Sequence, residues 1–145
     1  MIYLMVGIPG AGKTTYAKNV LGHAAYFGTD EIRKELFGKE LTLRGRKRVY
    51  EMLYRKVNEA LQNGCDVVID CSNITPRRRR KLLDHLPPAQ PVHAVYVKAT
   101  LLRALRNNRK RERHVPVIGI ALMYFQLIPP RAEEGFDLVA EVGGD

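Results

Sequence analysis

The stretch GIPGAGKT, Gly7 to Thr14, fully matches the pattern GxxxxGKT and directly follows a short apolar run, Ile2 to Val6. Gly7, Gly10 and Gly12, with Pro9 and Ala11 between them, let the backbone curl so that successive N–H groups point inward at phosphate oxygens. Lys13 is then placed to reach β and γ phosphates, Thr14 to offer its hydroxyl to Mg²⁺, and Thr15 to close the phosphate-binding set. The implied ligands are ATP or GTP with magnesium. The alternative, a glycine-rich turn that merely caps a helix, leaves this exact order of residues unexplained.

Two further stretches bear on what would be done with the nucleotide. In DVVIDCSN the apolar strand ends on Asp70 followed by Cys71, where hydrolysing motors usually carry a glutamate that orients water. That difference favours transfer to another acceptor, and the absence of an NKxD sequence lowers the odds of a GTPase. In YFGTDEIRKE, Asp30 and Arg33 fall at the C-terminal end of a second strand, the edge where open α/β sheets bind ligands. Three residues apart at a helix start, they point the same way, so one can take a hydroxyl proton while the other holds a phosphate. The competing reading makes Asp30 a helix cap and Arg33 a solvated surface residue.

These residues need a scaffold, and the chain alternates short apolar strands with longer amphipathic segments. Strands are expected at Ile2 to Val6, Ala24 to Gly28, Val67 to Ile69, Val92 to Val97 and Leu138 to Val142, with helices from Lys13, Asp30, Arg46 and Pro76 and two more between Thr100 and Leu127. Such alternation implies a parallel sheet covered on both faces. The expected fold class is α/β, a three-layer P-loop sandwich with a mostly parallel sheet of about five strands and helices on both faces. Val49, Leu53, Val57, Ala60 and Leu61 share one face of the long helix, which Gly64 should stop, and Thr75 with Pro76 reads as N-cap and first helical residue. LIPPRAEEG, 127–135, reads as loop, because paired prolines cannot continue a helix.

Length and composition bound the rest. At 145 residues the chain is expected to form a single domain, and no run is long enough for a membrane span. The start lacks the basic flank and cleavage site of a secretory signal, so the expectation is a cytoplasmic protein with reduced Cys65 and Cys71. Twenty-four Lys and Arg against fifteen Asp and Glu, a net charge of +9, make a polyanionic partner plausible.

Taken in order, GIPGAGKTT, TDEIR, VVIDCSN followed by an arginine helix, RNNRKRERHVP and EGFD span nearly the whole chain. This ordered set resembles the P-loop kinases related to 5′-hydroxyl polynucleotide kinase, with zeta-toxin-like and tRNA-directed kinases as cousins. The resemblance implies an ATP-dependent phosphotransferase with Mg²⁺ and a basic helical lid near residues 103–116 over the phosphates, acting on the 5′ end of a nucleic acid. It implies Asp30 as general base, Arg33 as the contact to the acceptor's phosphate, and Asp70 and Asn73 as a DxxN strand end lining the acceptor side. Asp70 could also hold magnesium through water. The best-studied phage-type kinases carry their acid one position later, where Cys71 stands. A small-molecule kinase and a nucleotide-binding regulatory module remain the alternatives.

The arginines divide by helical geometry. Leu101, Leu102 and Leu105 suggest an inward stripe that Arg109 continues, with Arg103, Arg106, Lys110 and Arg113 on a neighbouring stripe. The lid pattern RNxxR of the resembled family falls on Arg106, Asn107 and Arg109, which implies phosphate contacts for Arg106 and Arg109. In ITPRRRRKLLDHL, Arg79 shares the face of Leu82, Leu83 and Leu86, and is expected to pair with Asp70 or Asp30 or to approach the acceptor. Arg78 stays undecided, while Arg77, Arg80 and Lys81 point outward. Tyr50, Tyr54 and Tyr124 are packing residues or base-stacking ones, and His114 is a loop residue without catalytic duty.

Overall fold

The computed structural model describes residues 1–38, 45–111 and 115–143. Five strands, β1 (Ile2–Val6), β2 (Ala25–Gly28), β3 (Val67–Asp70), β4 (Val92–Lys98) and β5 (Leu138–Gly143), form one sheet in the order β2-β3-β1-β4-β5. Every pairing is parallel. Among the described residues six helices cover it: α1 (Lys13–Val20), α2 (Thr29–Phe37), α3 (Arg46–Gln62), α4 (Pro76–Leu83), α5 (Leu101–Arg109) and α6 (Val117–Gln126).

Alternation along the strands separates two cores. Ile2 and Leu4, Val67 and Ile69, and Val92 and Ala94 face α2, α3 and α4, whose Ile32, Val49, Leu53, Val57 and Leu82 are buried against them. Met5, Val68, Val95 and Val97 face the other way, onto Ala17 of α1, Ala104 of α5 and Ile120 of α6. The outcome is the three-layer α/β sandwich expected from the sequence. Gly64 follows α3 at φ 80°, Thr75 accepts a hydrogen bond from the Arg78 amide at 3.3 Å, and Pro76 opens α4. The loop expected at 127–135 contains one short 3₁₀ turn, Ala132–Glu134.

The strand order matters for function because the chain leaves β1 for α1 on one face and leaves β3 for α4 on the other. A crevice opens between the C-terminal ends of those neighbouring strands, where open α/β sheets take their ligands. Among the described residues no helix is long and apolar enough to cross a membrane.

Candidate active site

A large cleft of about 1710 Å³ lies along the C-terminal edge of the sheet. Its floor is the loop after β1. Gly10 sits at φ 84°, and a Cβ on it would come within 2.4 Å of the Ala104 carbonyl oxygen, so α5 rests directly on this loop and only glycine fits beneath it. Gly12, at φ 102°, precedes α1, whose first turn has no side-chain cap. Its N–H groups are left for an anion.

The Lys13 side chain folds back so that Nζ donates to the Ile8 carbonyl at 3.0 Å. Burial pushes its pKa down, while the Asp70 charge works against that shift. A buried cation held by a carbonyl in a hollow of amides is suited to receive phosphate oxygens.

Beside it, Thr14 Oγ1 donates to Asp70 Oδ2 at 2.8 Å, and the Tyr26 hydroxyl donates to the same oxygen. β3 is buried along its whole length, so Asp70 arrives at the sheet edge rigidly placed. A hydroxyl and a carboxylate set side by side at the mouth of a phosphate loop are the hard oxygen donors that Mg²⁺ takes together with phosphates, so these residues fit that ion. Tyr26 had no signal in the sequence beyond lying on a strand; burial and the Asp70 charge raise its phenol pKa.

Asp30, in the first turn of α2, is 53% exposed and faces the cleft between two guanidinium groups. Arg33 Nη1 stands 3.4 Å from Oδ1, and Arg111 Nη2, from beyond the end of α5, stands 3.9 Å from Oδ2. Burial raises the Asp30 pKa despite both arginines. The Arg33 Nε is buried and makes no hydrogen bond among the described residues. A carboxylate with a raised pKa flanked by cations can accept a proton next to a bound anion.

Several expectations change here. From α5 and its continuation the cleft is lined by Arg103, Asn107 and Arg111, each four residues apart, whereas Arg106 and Arg109 are exposed and lie outside it. The arginines that this segment turns to the cleft are therefore Arg103 and Arg111. Leu101 and Leu105 pack against the α1–α5–α6 core as expected, but Leu102 is 76% exposed; the buried positions of this helix are Ala104, whose backbone rests on Gly10, and Asn108. Asn107 Nδ2 donates to the Gly10 carbonyl at 2.8 Å, and Asn108 clasps Val115 through its carbonyl at 2.8 Å and its amide at 2.9 Å. Residues 112–114 of the expected lid, including Arg113 and His114, lie outside the described residues.

Arg79 is also reassigned. It is 0% exposed and points inward as its spacing implies, but its anion is Glu134, bound through Nε at 2.8 Å and Nη2 at 3.1 Å, while Nη1 donates to the Asn73 carbonyl at 2.8 Å. It is a structural strut rather than a contact to Asp30, Asp70 or an acceptor. Asn73 reaches the cleft wall at φ 48°, yet its amide nitrogen donates to Met5 O at 3.1 Å and Cys71 O at 3.4 Å, so it clamps β3 to β1. Arg78 and Lys81 do line the cleft, although Lys81 was expected to point away.

Comparison with known proteins gives a family. The AAA domain family matches residues 2–126. The L-seryl-tRNA(Sec) kinase of Methanococcus maripaludis is 28% identical over 95% of this chain and 56% of its own length. The structure of the Pnkp1/Rnl/Hen1 RNA repair complex contains a chain that superimposes with a TM-score of 0.78 at 21% identity, over 87% of this chain and 43% of that one. A sugar kinase from Janibacter sp. HTCC2649 superimposes with a TM-score of 0.67 at 21% identity, over 97% of this chain and 84% of its own. The chain thus spans about half the length of the tRNA kinase and of the RNA repair chain. With most of its length matched and the phosphate loop and strand order in place, this chain belongs to the AAA domain family and has the fold of its P-loop kinases.

Proposed function

We propose that this protein is an ATP-dependent kinase that moves the γ-phosphate of ATP to a hydroxyl, and that its acceptor is the 5′-OH end of a polynucleotide. The observation that carries this reading is the convergence of Lys13, the Thr14–Asp70 pair and the Arg33–Asp30–Arg111 cluster on one cleft.

In this reading the loop from Gly7 to Thr15 and Lys13 hold the donor phosphates. Thr14 and Asp70 would hold Mg²⁺, which would supply charge neutralisation at the phosphates. Asp30 accepts the proton of the attacking hydroxyl. Arg33, which lines the cleft beside Asp30, fixes the acceptor's own phosphate, and Arg111 with Arg103 offsets charge on the transferring group.

The net charge of +9, the RNA repair chain and the tRNA-directed relative support a nucleic-acid acceptor. The sugar kinase, close to this chain in size, favours a small-molecule acceptor as the second reading. Incubation with labelled ATP, magnesium and either 5′-OH oligonucleotides or a metabolite panel separates them. Label is expected on the oligonucleotide, and Asp30→Asn is expected to lower kcat by about 10²–10⁴-fold. Label on metabolites alone would transfer the proposal to the second reading.

A further inference from the structure

The cleft continues beyond Asp30 and Arg33 onto a wall made by α3, α4 and the turn after α4, which the proposed phosphoryl transfer leaves unused. Arg46, Tyr50 and Tyr54 face the cleft from α3, and Arg78, Lys81 and His85 face it from α4 and the turn that follows. Their rings and cations are in register. The Arg46 guanidinium lies 5.6 Å over the Tyr50 ring, Tyr50 and Tyr54 stand 6.1 Å apart, and Tyr54 stacks on His85 at 4.7 Å with the planes 3° from parallel.

His85 is the exposed end of that ladder. Its Nδ1 lies 2.8 Å from the Lys81 carbonyl, which can only accept, so Nδ1 carries the proton and the ring is held in place. Burial first, with the neighbouring Tyr50 and Cys71 charges, pushes the Tyr54 phenol up to about 12, so the platform beneath His85 is uncharged at neutral pH. A fixed aromatic face open to a cleft is what single-stranded bases stack on.

The cations beside it are uncompensated. Arg78 and Lys81, three residues apart on one side of α4, make no ion pair among the described residues, and Glu51 is the only carboxylate that the α3–α4 wall contributes. Arg78 also stands in a first helical turn, where positive charge is opposed by the helix dipole. The neighbouring Arg79 shows the alternative outcome, since it is neutralised by Glu134. A cleft of about 1710 Å³ also exceeds the roughly 300–1,000 Å³ of a small-molecule site, leaving room beyond a donor nucleotide.

We propose that the α3–α4 wall is a second acceptor subsite that binds the base of the second nucleotide of a single strand and the phosphate on its 3′ side, one beyond the phosphate held by Arg33. Arg78 and Lys81 take the phosphate, and the His85 face, backed by Tyr54, takes the base. This rests on the polynucleotide reading and gives it a length dependence that a small-molecule kinase would lack.

The test compares 5′-OH acceptors of increasing length, a nucleoside 3′-phosphate against a trinucleotide 3′-phosphate, with ATP and magnesium. Wild type should favour the trinucleotide in kcat/KM by about tenfold, the scale of one stacked base. In the Arg78→Ala/Lys81→Ala double variant and in His85→Ala, the ratio between the two acceptors should fall towards one. Equal use of both acceptors by wild type, or an undiminished ratio in the variants, overturns the subsite while leaving the kinase reading intact. If neither acceptor is phosphorylated, the polynucleotide kinase reading fails, and fluorescence anisotropy with a labelled 5′-OH hexanucleotide decides the subsite without turnover. The slope of log Kd against log salt should then drop by roughly 0.7 for each phosphate contact removed, and an unchanged slope in the double variant overturns the proposal.

Discussion

Asp30 shows how much a single carboxylate depends on its surroundings. Burial raises its pKa, and Arg33 and Arg111 pull it back only in part. A base must be ionised to act, so activity is lost as pH falls through the raised value, and the acid limb of kcat/KM should lie above the ordinary carboxyl value of 3.8. Arg111→Met removes a charge that lowers this pKa and should move the limb to higher pH; profiles that superimpose would remove Asp30 as the titrating group. The same shift has a stability consequence of opposite sense. A carboxyl whose folded pKa is raised destabilises the fold once ionised, so Asp30→Asn should melt at or above the wild-type temperature at neutral pH while losing activity. The Asp30 and Arg33 pairing was legible from their spacing, but Arg111 was not. Its approach to Asp30 spans the cleft, and no periodicity within one helix reports a contact across a gap.

At the scale of elements, two contacts hold the site's walls. The first is α5 on the phosphate loop. Gly10→Ala would place a methyl 2.4 Å from the Ala104 carbonyl, a backbone atom that cannot swing aside, and at φ 84°. The expected cost is about 1–3 kcal/mol of stability by overpacking, with weaker ATP binding as α5 and the Asn107 bond are displaced. Urea unfolding and ATP titration would show this, and unchanged values in both would mean that α5 does not rest on the loop. The second is the strut between α4 and the 3₁₀ turn, Arg79 with Glu134. Burial pushes the Glu134 carboxyl up, but hydrogen bonds from Arg79 and the Arg131 amide outweigh it and hold its pKa below the usual 4.5. The strut's contribution is therefore present above 4.5 and lost as pH falls through the lower folded value. Glu134→Ala strands a fully buried guanidinium and should cost about 3–5 kcal/mol at neutral pH, with the deficit shrinking in acid. A deficit independent of pH would indicate lost packing instead of lost charge.

At the scale of the whole molecule, the sheet order places the loops after β1 and β3 side by side, and α1 and α4 on opposite faces keep the crevice between them open. Ligand binding should therefore report on global stability. Nucleotide at a hundredfold its Kd should stabilise the fold by about 2.7 kcal/mol, read as a rise in Tm, and Lys13→Met should abolish most of that rise. An equal rise in the variant would place the nucleotide elsewhere. The sequence alone determined the layers, the strands, the phosphate loop and the inward turn of Arg79, because these follow from local patterns of period 2 and 3.6 and from glycines at fixed offsets. Tertiary structure decided which arginines meet the cleft and which carboxylate each one finds. Arg79 finds Glu134, Arg111 finds Asp30, and Arg109 stays outside, since charge pairing is set by distance in space between segments far apart in the chain, to which helical periodicity is blind.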